Sequence, residues 1–93
     1  MIEQDNIIIQ GQVDIDQSAI ISPFTIIGYG GDPSEIKERH KDNITTINSG
    51  VWIGPFVTIY QGAMIGADVK IDPYSRIGHN TKIGNGARIL YGA

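Results

Sequence analysis

The chain contains no cysteine, which excludes a disulfide framework and any thiolate-ligated metal centre. Leucine occurs once, at Leu90, and tryptophan once, at Trp52. With so few good helix formers, a helical domain is not expected. A basic excess is also missing. The formal net charge is −3, the wrong sign for the electrostatic footprint of a nucleic-acid-binding protein. No apolar run approaches the length of a membrane span. The first residues, MIEQDNIIIQ, place acids ahead of a three-residue apolar run and do not read as a secretory signal. A soluble cytoplasmic protein that meets neither membrane nor nucleic acid is the expectation. At 93 residues it forms a single small domain, near the lower limit for burying a sound core alone.

What is present is isoleucine. There are 19, against four valines, and with the glycines they make a strand-and-turn chain. Isoleucine falls at 47, 53, 59, 65, 71, 77, 83 and 89, a strict period of six. At roughly one isoleucine in five, chance would produce such a run about a few times in a million. Four residues after each stands a small or β-branched residue: Val51, Val57, Ala63, Val69, Ser75, Thr81, Ala87 and Ala93. Glycine follows directly at Gly54, Gly66, Gly78 and Gly84, where a corner is expected to need unusual backbone angles. Ile9, Ile15, Ile21 and Ile27 form an earlier run with the same grammar.

A six-residue period fits neither a 3.6-residue helix nor one long strand. It fits short strands separated by bends, coiled so that like residues stack, which is the signature of a parallel β-helix. The reading is an all-β fold with isoleucine columns inside. Residues 9–27 form the first coil and 47–93 about two and a half further coils, ending mid-repeat. Between them, residues 28–46 leave the repeat, because 27 to 47 is twenty residues and not a multiple of six. Within this extruded loop, DPSE reads as a capped helix start with Asp32 as N-cap, Pro33 at the first position and Glu35 at the third. A short helical turn is expected over residues 33–40, on a segment of the kind that commonly carries binding residues.

The pattern of isoleucine, glycine or acid, two free positions and a small residue resembles the hexapeptide-repeat acyltransferases. Three segments are most similar to the enzymes of lipid A synthesis and related nucleotide-sugar acyltransferases: IIGYGGDPSEIKERHKD as an extruded loop, VTIYQGA after it, and IDPYSRIGHNTKIGNGARI around a histidine. The resemblance implies a left-handed triangular prism that assembles as a homotrimer. It also implies that His79 is the general base and Asn80 the polar residue after it. Where those enzymes carry His-Arg or Asp-Arg, this chain has Tyr60 and Gln61. The coil that would supply the oxyanion-binding amide and hold the donor falls after Ala93, so the chain looks like an N-terminal portion of such an enzyme.

On this reading the protein transfers an acyl group from acyl-CoA, such as acetyl-CoA, or from acyl-carrier protein. The acceptor is an amino or hydroxyl group of a nucleotide-linked sugar. No bound cofactor is expected, since the thioester is a co-substrate. Histidine titrates near neutrality and suits removal of the nucleophile's proton. In the hexapeptide frame Ile77 points inward and His79 outward near a bend, with Gln61 and Tyr60 one coil earlier forming a polar strip beside His79 and Asn80. Arg39 and His40 read either as a solvated loop face or as groups that meet the acceptor's diphosphate. Two other readings stand beside this one. A non-catalytic β-helix module would trimerise or dock a partner. A zinc carbonic anhydrase, found on the same kind of prism, needs three histidines, whereas this chain has His40 and His79 only. Trp52, Phe56 and Tyr74 are expected on the outside, packed between subunits.

Overall fold

The computed structural model describes residues 6–31 and 44–93. The expected helical turn at 33–40, and with it Arg39 and His40, lies outside the described residues. Within them every regular element is a short strand: β1 (Ile8–Ile9), β2 (Val13–Ile15), β3 (Ile20–Ile21), β4 (Ile26–Tyr29), β5 (Thr45–Ile47), β6 (Trp52–Ile53), β7 (Thr58–Tyr60), β8 (Met64–Ile65), β9 (Lys70–Ile71), β10 (Arg76–Ile77), β11 (Lys82–Ile83) and β12 (Arg88–Ile89). Each sheet takes every third strand. The first is β1-β4-β7-β10, the second β2-β5-β8-β11 and the third β3-β6-β9-β12, with all pairs parallel. Three sheets visited in rotation make four coils of a parallel β-helix, the all-β architecture that the six-residue period predicts. No helix among the described residues is long and apolar enough to cross a membrane.

The period sets the register. Ile9, Ile27, Ile59 and Ile77 stack in the first sheet. Ile15, Ile47, Ile65 and Ile83 stack in the second, and Ile21, Ile53, Ile71 and Ile89 in the third. The six isoleucines of the two central coils are buried, each contributing about 1.5–3 kcal/mol of apolar burial. In the outer coils, where only one neighbouring coil covers the column, Ile9 is exposed and Ile83 and Ile89 are half-buried. The small residues fill the corners. Three are buried hydroxyls with partners: Thr25 donates to the Gly54 carbonyl at 3.1 Å, Ser75 donates to the Asp72 carbonyl at 2.8 Å, and Thr45 accepts from the Gly62 amide at 3.1 Å, as buried polar groups must.

The corners correct one expectation. Gly54 and Gly66, directly after their isoleucines, do not adopt left-handed backbone. They are glycines because the next coil passes close. A Cβ on Gly54 would stand 2.9 Å from the Pro73 nitrogen, and one on Gly66 2.8 Å from the Asn85 nitrogen. The left-handed residue is the third after the isoleucine: Phe24, Gly50, Phe56, Gly62, Asp68, Tyr74, Asn80, Gly86 and Gly92. The amide after it closes the turn, as from Ala93 to the Leu90 carbonyl at 3.0 Å. Positive φ at the third position, with Pro23, Pro55 or Pro73 before it, is the type II turn.

At the corner between the third and first sheets the left-handed residues Phe24, Phe56 and Tyr74 are aromatic, and they stack. Phe24 and Phe56 lie 5.2 Å apart and 11° from parallel, Phe56 and Tyr74 5.1 Å apart and 5° from parallel, and Tyr91 meets Tyr74 edge-on at 5.6 Å. A side chain in this conformation costs about 1–2 kcal/mol, which two stacks at about 0.5–1.5 kcal/mol each offset. Phe56→Ala keeps the strain and loses both stacks, whereas Phe56→Gly loses the stacks and the strain together. Thermal denaturation should therefore show a larger fall in Tm for the alanine variant than for the glycine variant. The opposite order would mean that the ladder is not held against its backbone preference.

Polar contacts tie the remaining coils. Ser18 donates its amide and hydroxyl to the Asp16 carboxylate at 2.9 and 2.5 Å and accepts from the Gly50 amide at 3.0 Å. The Ser18 hydroxyl, and then its amide, hold the Asp16 carboxyl below its ordinary range. Arg88 reaches back one coil to Asp72, with its Nε at 3.0 Å and a terminal nitrogen at 2.8 Å.

Candidate functional site

The chain passes from β4 in the first sheet to β5 in the second at the corner between them. A bulge lies in β4. Ile27 pairs with Ile59, but Tyr29, two residues on, pairs with Tyr60, one residue on. The extra residue is Gly28, buried and left-handed at φ +86°, where a Cβ would collide with the Gln10 carbonyl oxygen. Only glycine fits. The bulge brings Tyr29 above Tyr60, ring edge to ring face at 5.0 Å.

His79 stands at the same corner in the fourth coil. It is the second residue of a type II turn whose third residue, Asn80, has φ 57°. Asn80 thus holds the position that Asp68 holds on another corner, and its type fits left-handed backbone. The half-buried imidazole lies 4.6 Å from the Tyr60 ring at 80°, so Tyr29, Tyr60 and His79 form a herringbone across three coils. Nε2 of His79 is 3.3 Å from the Gly30 carbonyl oxygen. A carbonyl only accepts, so this contact places a proton on Nε2. In the neutral ring Nδ1 then carries the lone pair. Arg76, on β10, places its guanidinium carbon 5.8 Å from the centre of the Tyr60 ring.

Of the residues read from sequence, Tyr60 meets His79 directly. Gln61 and Asn80 meet through the backbone, the Asn80 amide donating to the Gln61 carbonyl at 3.3 Å. The Gln61 side chain runs the other way. Its amide lies over Gly11 in the first coil, where an added Cβ would be 2.7 Å from Nε2 of Gln61. Sequence reading missed Tyr29, Gly30 and Arg76. Tyr29 and Tyr60 sit at different offsets from their isoleucines, and the one-residue bulge that aligns them has no sequence signature beyond Gly28. Arg76 is masked by its position, because every outward strand residue from 70 to 88 is basic: Lys70, Arg76, Lys82 and Arg88. Among the described residues no group of three histidine, aspartate or glutamate side chains is placed to hold a metal ion.

A family model described as bacterial transferase hexapeptide (six repeats) matches residues 44–77 and, overlapping them, 62–93. No curated protein matches the chain, and no solved structure does.

Proposed function

We propose, on the premise that the chain belongs to the bacterial transferase hexapeptide family, that this left-handed β-helix is an acyltransferase or part of one. It moves an acyl group from acyl-CoA or acyl-carrier protein to an amino or hydroxyl group of a nucleotide-linked sugar. The observation that carries the reading is the environment of His79. Its imidazole is packed on Tyr60 and oriented by the Gly30 carbonyl, at the corner between the first and second sheets. In this scheme Nδ1 takes the nucleophile's proton as nitrogen or oxygen attacks the thioester carbonyl. The tetrahedral intermediate collapses with cleavage of the carbon–sulfur bond. The proton passes to the departing thiolate, leaving amide or ester, free thiol and neutral imidazole.

Tyr60 positions the ring, and Asn80 and Gln61 hold the corner through their backbone contact. Arg39 and His40 meet the acceptor. The protein works in the cytoplasm as a homotrimer. Trp52, half-buried, and the exposed Ile20, Phe24 and Phe56 form an apolar face around the aromatic corner that side-by-side packing would cover. Light scattering is expected to give about 30 kDa, three times the 10.1 kDa chain. Release of free thiol from acetyl-CoA, dependent on an amino-sugar nucleotide, tests the activity. The same apolar face favours a second reading, a non-catalytic module that docks a protein partner. It predicts no acceptor-dependent thiol release with either class of donor.

A further inference from the structure

Arg76 shares an aromatic neighbour, Tyr60, with His79. Among the described residues Arg88 has an acid partner in Asp72, whereas no ion pair involves Arg76. Its side chain is exposed and lies against the aromatic ring that also seats His79. The guanidinium carbon is 5.8 Å from the Tyr60 ring centre and the imidazole centre is 4.6 Å from it. Cation and base are therefore no more than about 10 Å apart. The shared ring places both on one stretch of surface. Lys70 and Lys82 lie on the third and second sheets, on other faces of the prism.

A guanidinium held beside a general base, without a carboxylate to satisfy it, recognises an anion. We propose that Arg76 anchors a phosphate of the acceptor, and so selects a phosphorylated sugar over the free sugar. The distance favours acceptor over donor. If His79 addresses the nucleophile, an anion within about 10 Å fits a phosphate carried on the same sugar ring. The phosphates of coenzyme A are separated from its sulfur by the whole pantetheine arm. Tyr60 serves both groups, with its edge and face contacts fixing the spacing between them. The proposal rests on the acyl-transfer reading for the identity of the acceptor, but anion anchoring is measured apart from turnover.

The test is calorimetric titration of the full chain, at low salt, with glucosamine 1-phosphate, glucosamine and coenzyme A. The wild type is expected to bind glucosamine 1-phosphate at least about tenfold more tightly than glucosamine, the scale of one charge-assisted contact. Arg76→Gln should abolish that preference, Arg76→Lys should keep part of it, and Lys82→Gln should leave it intact. The proposal is overturned if the wild type shows no preference, if Arg76→Gln retains it, or if Lys82→Gln loses as much. If Arg76→Gln weakens coenzyme A and leaves the amino-sugar phosphate unaffected, the anchor belongs to the donor and the acceptor assignment is wrong. A phosphate preference that depends on Arg76, without thiol release from any donor, would instead remove the acyl-transfer reading and leave the anion site standing.

Discussion

Replacing His79 with alanine is expected to lower acceptor-dependent thiol release by roughly 10²- to 10⁴-fold, the usual contribution of a positioned general base. The imidazole is half-buried and its removal takes a ring contact from Tyr60, yet the coil around it is held by backbone bonds that the substitution does not touch. The Asn80 amide still reaches the Gln61 carbonyl, and the Thr81 amide the Gly78 carbonyl at 3.4 Å. The variant should therefore keep the circular dichroism and oligomeric mass of the wild type while losing turnover. Activity within a few-fold of wild type in a folded variant would end the assignment of His79 as base. Loss of fold together with activity would be answered by His79→Gln, which keeps a planar polar side chain at the corner and is expected to be equally inactive.

The second large effect is on stability. Gly28→Ala puts a methyl group into a buried bulge at φ +86°, directly against the Gln10 carbonyl oxygen and 3.4 Å from Cγ1 of Val13. Left-handed strain adds about 1–2 kcal/mol and overpacking about 1–3 kcal/mol. The variant should lose about 2–5 kcal/mol and melt roughly 10–25 °C lower. Gly86→Ala separates the two causes. Its backbone is equally left-handed, at φ +76°, but nothing lies within 4 Å of the added carbon, so it bears the strain alone. Equal losses in the two variants would mean that the collision is relieved by a small shift of the first coil. Because Gly28 sets the register that places Tyr29 over Tyr60, its replacement should also reduce turnover beyond what the loss of folded protein explains.

The prism itself was legible in the sequence because its period is an interior requirement. Each coil must supply one branched apolar side chain per sheet at the same height as its neighbours, and isoleucine every six residues satisfies this whatever the outward residues are. The twenty residues from Ile27 to Ile47 were legible for the same reason: the excursion interrupts the spacing while Ile47 rejoins the second column in register with Ile15. The corners were less readable. Glycine after isoleucine answers to clearance from the next coil. Positive φ falls on Phe24, Phe56 and Tyr74, residue types that carry no turn signal, since their strain is offset by stacking with rings about twenty to thirty residues away.

At the candidate site the sequence alone singled out His79, a titratable residue in an outward corner position, and counting back one coil brought Gln61, with Tyr60 next to it in the chain, to the same corner. It could not place Tyr29, Gly30 or Arg76 there. A bulge of one residue reverses which side chains share a face, and that bulge exists only because Gly28 accepts a backbone conformation that fits under Gln10. It could not orient Gln61 either. Register brings Gln61 to the corner, but its amide turns towards Gly11 in the first coil. Sequence by itself determined which residues are inside and how they stack, because burial of isoleucine is periodic and local. Which outward side chains meet around His79 was decided only by the tertiary structure, because those contacts join coils whose relative register depends on a single glycine.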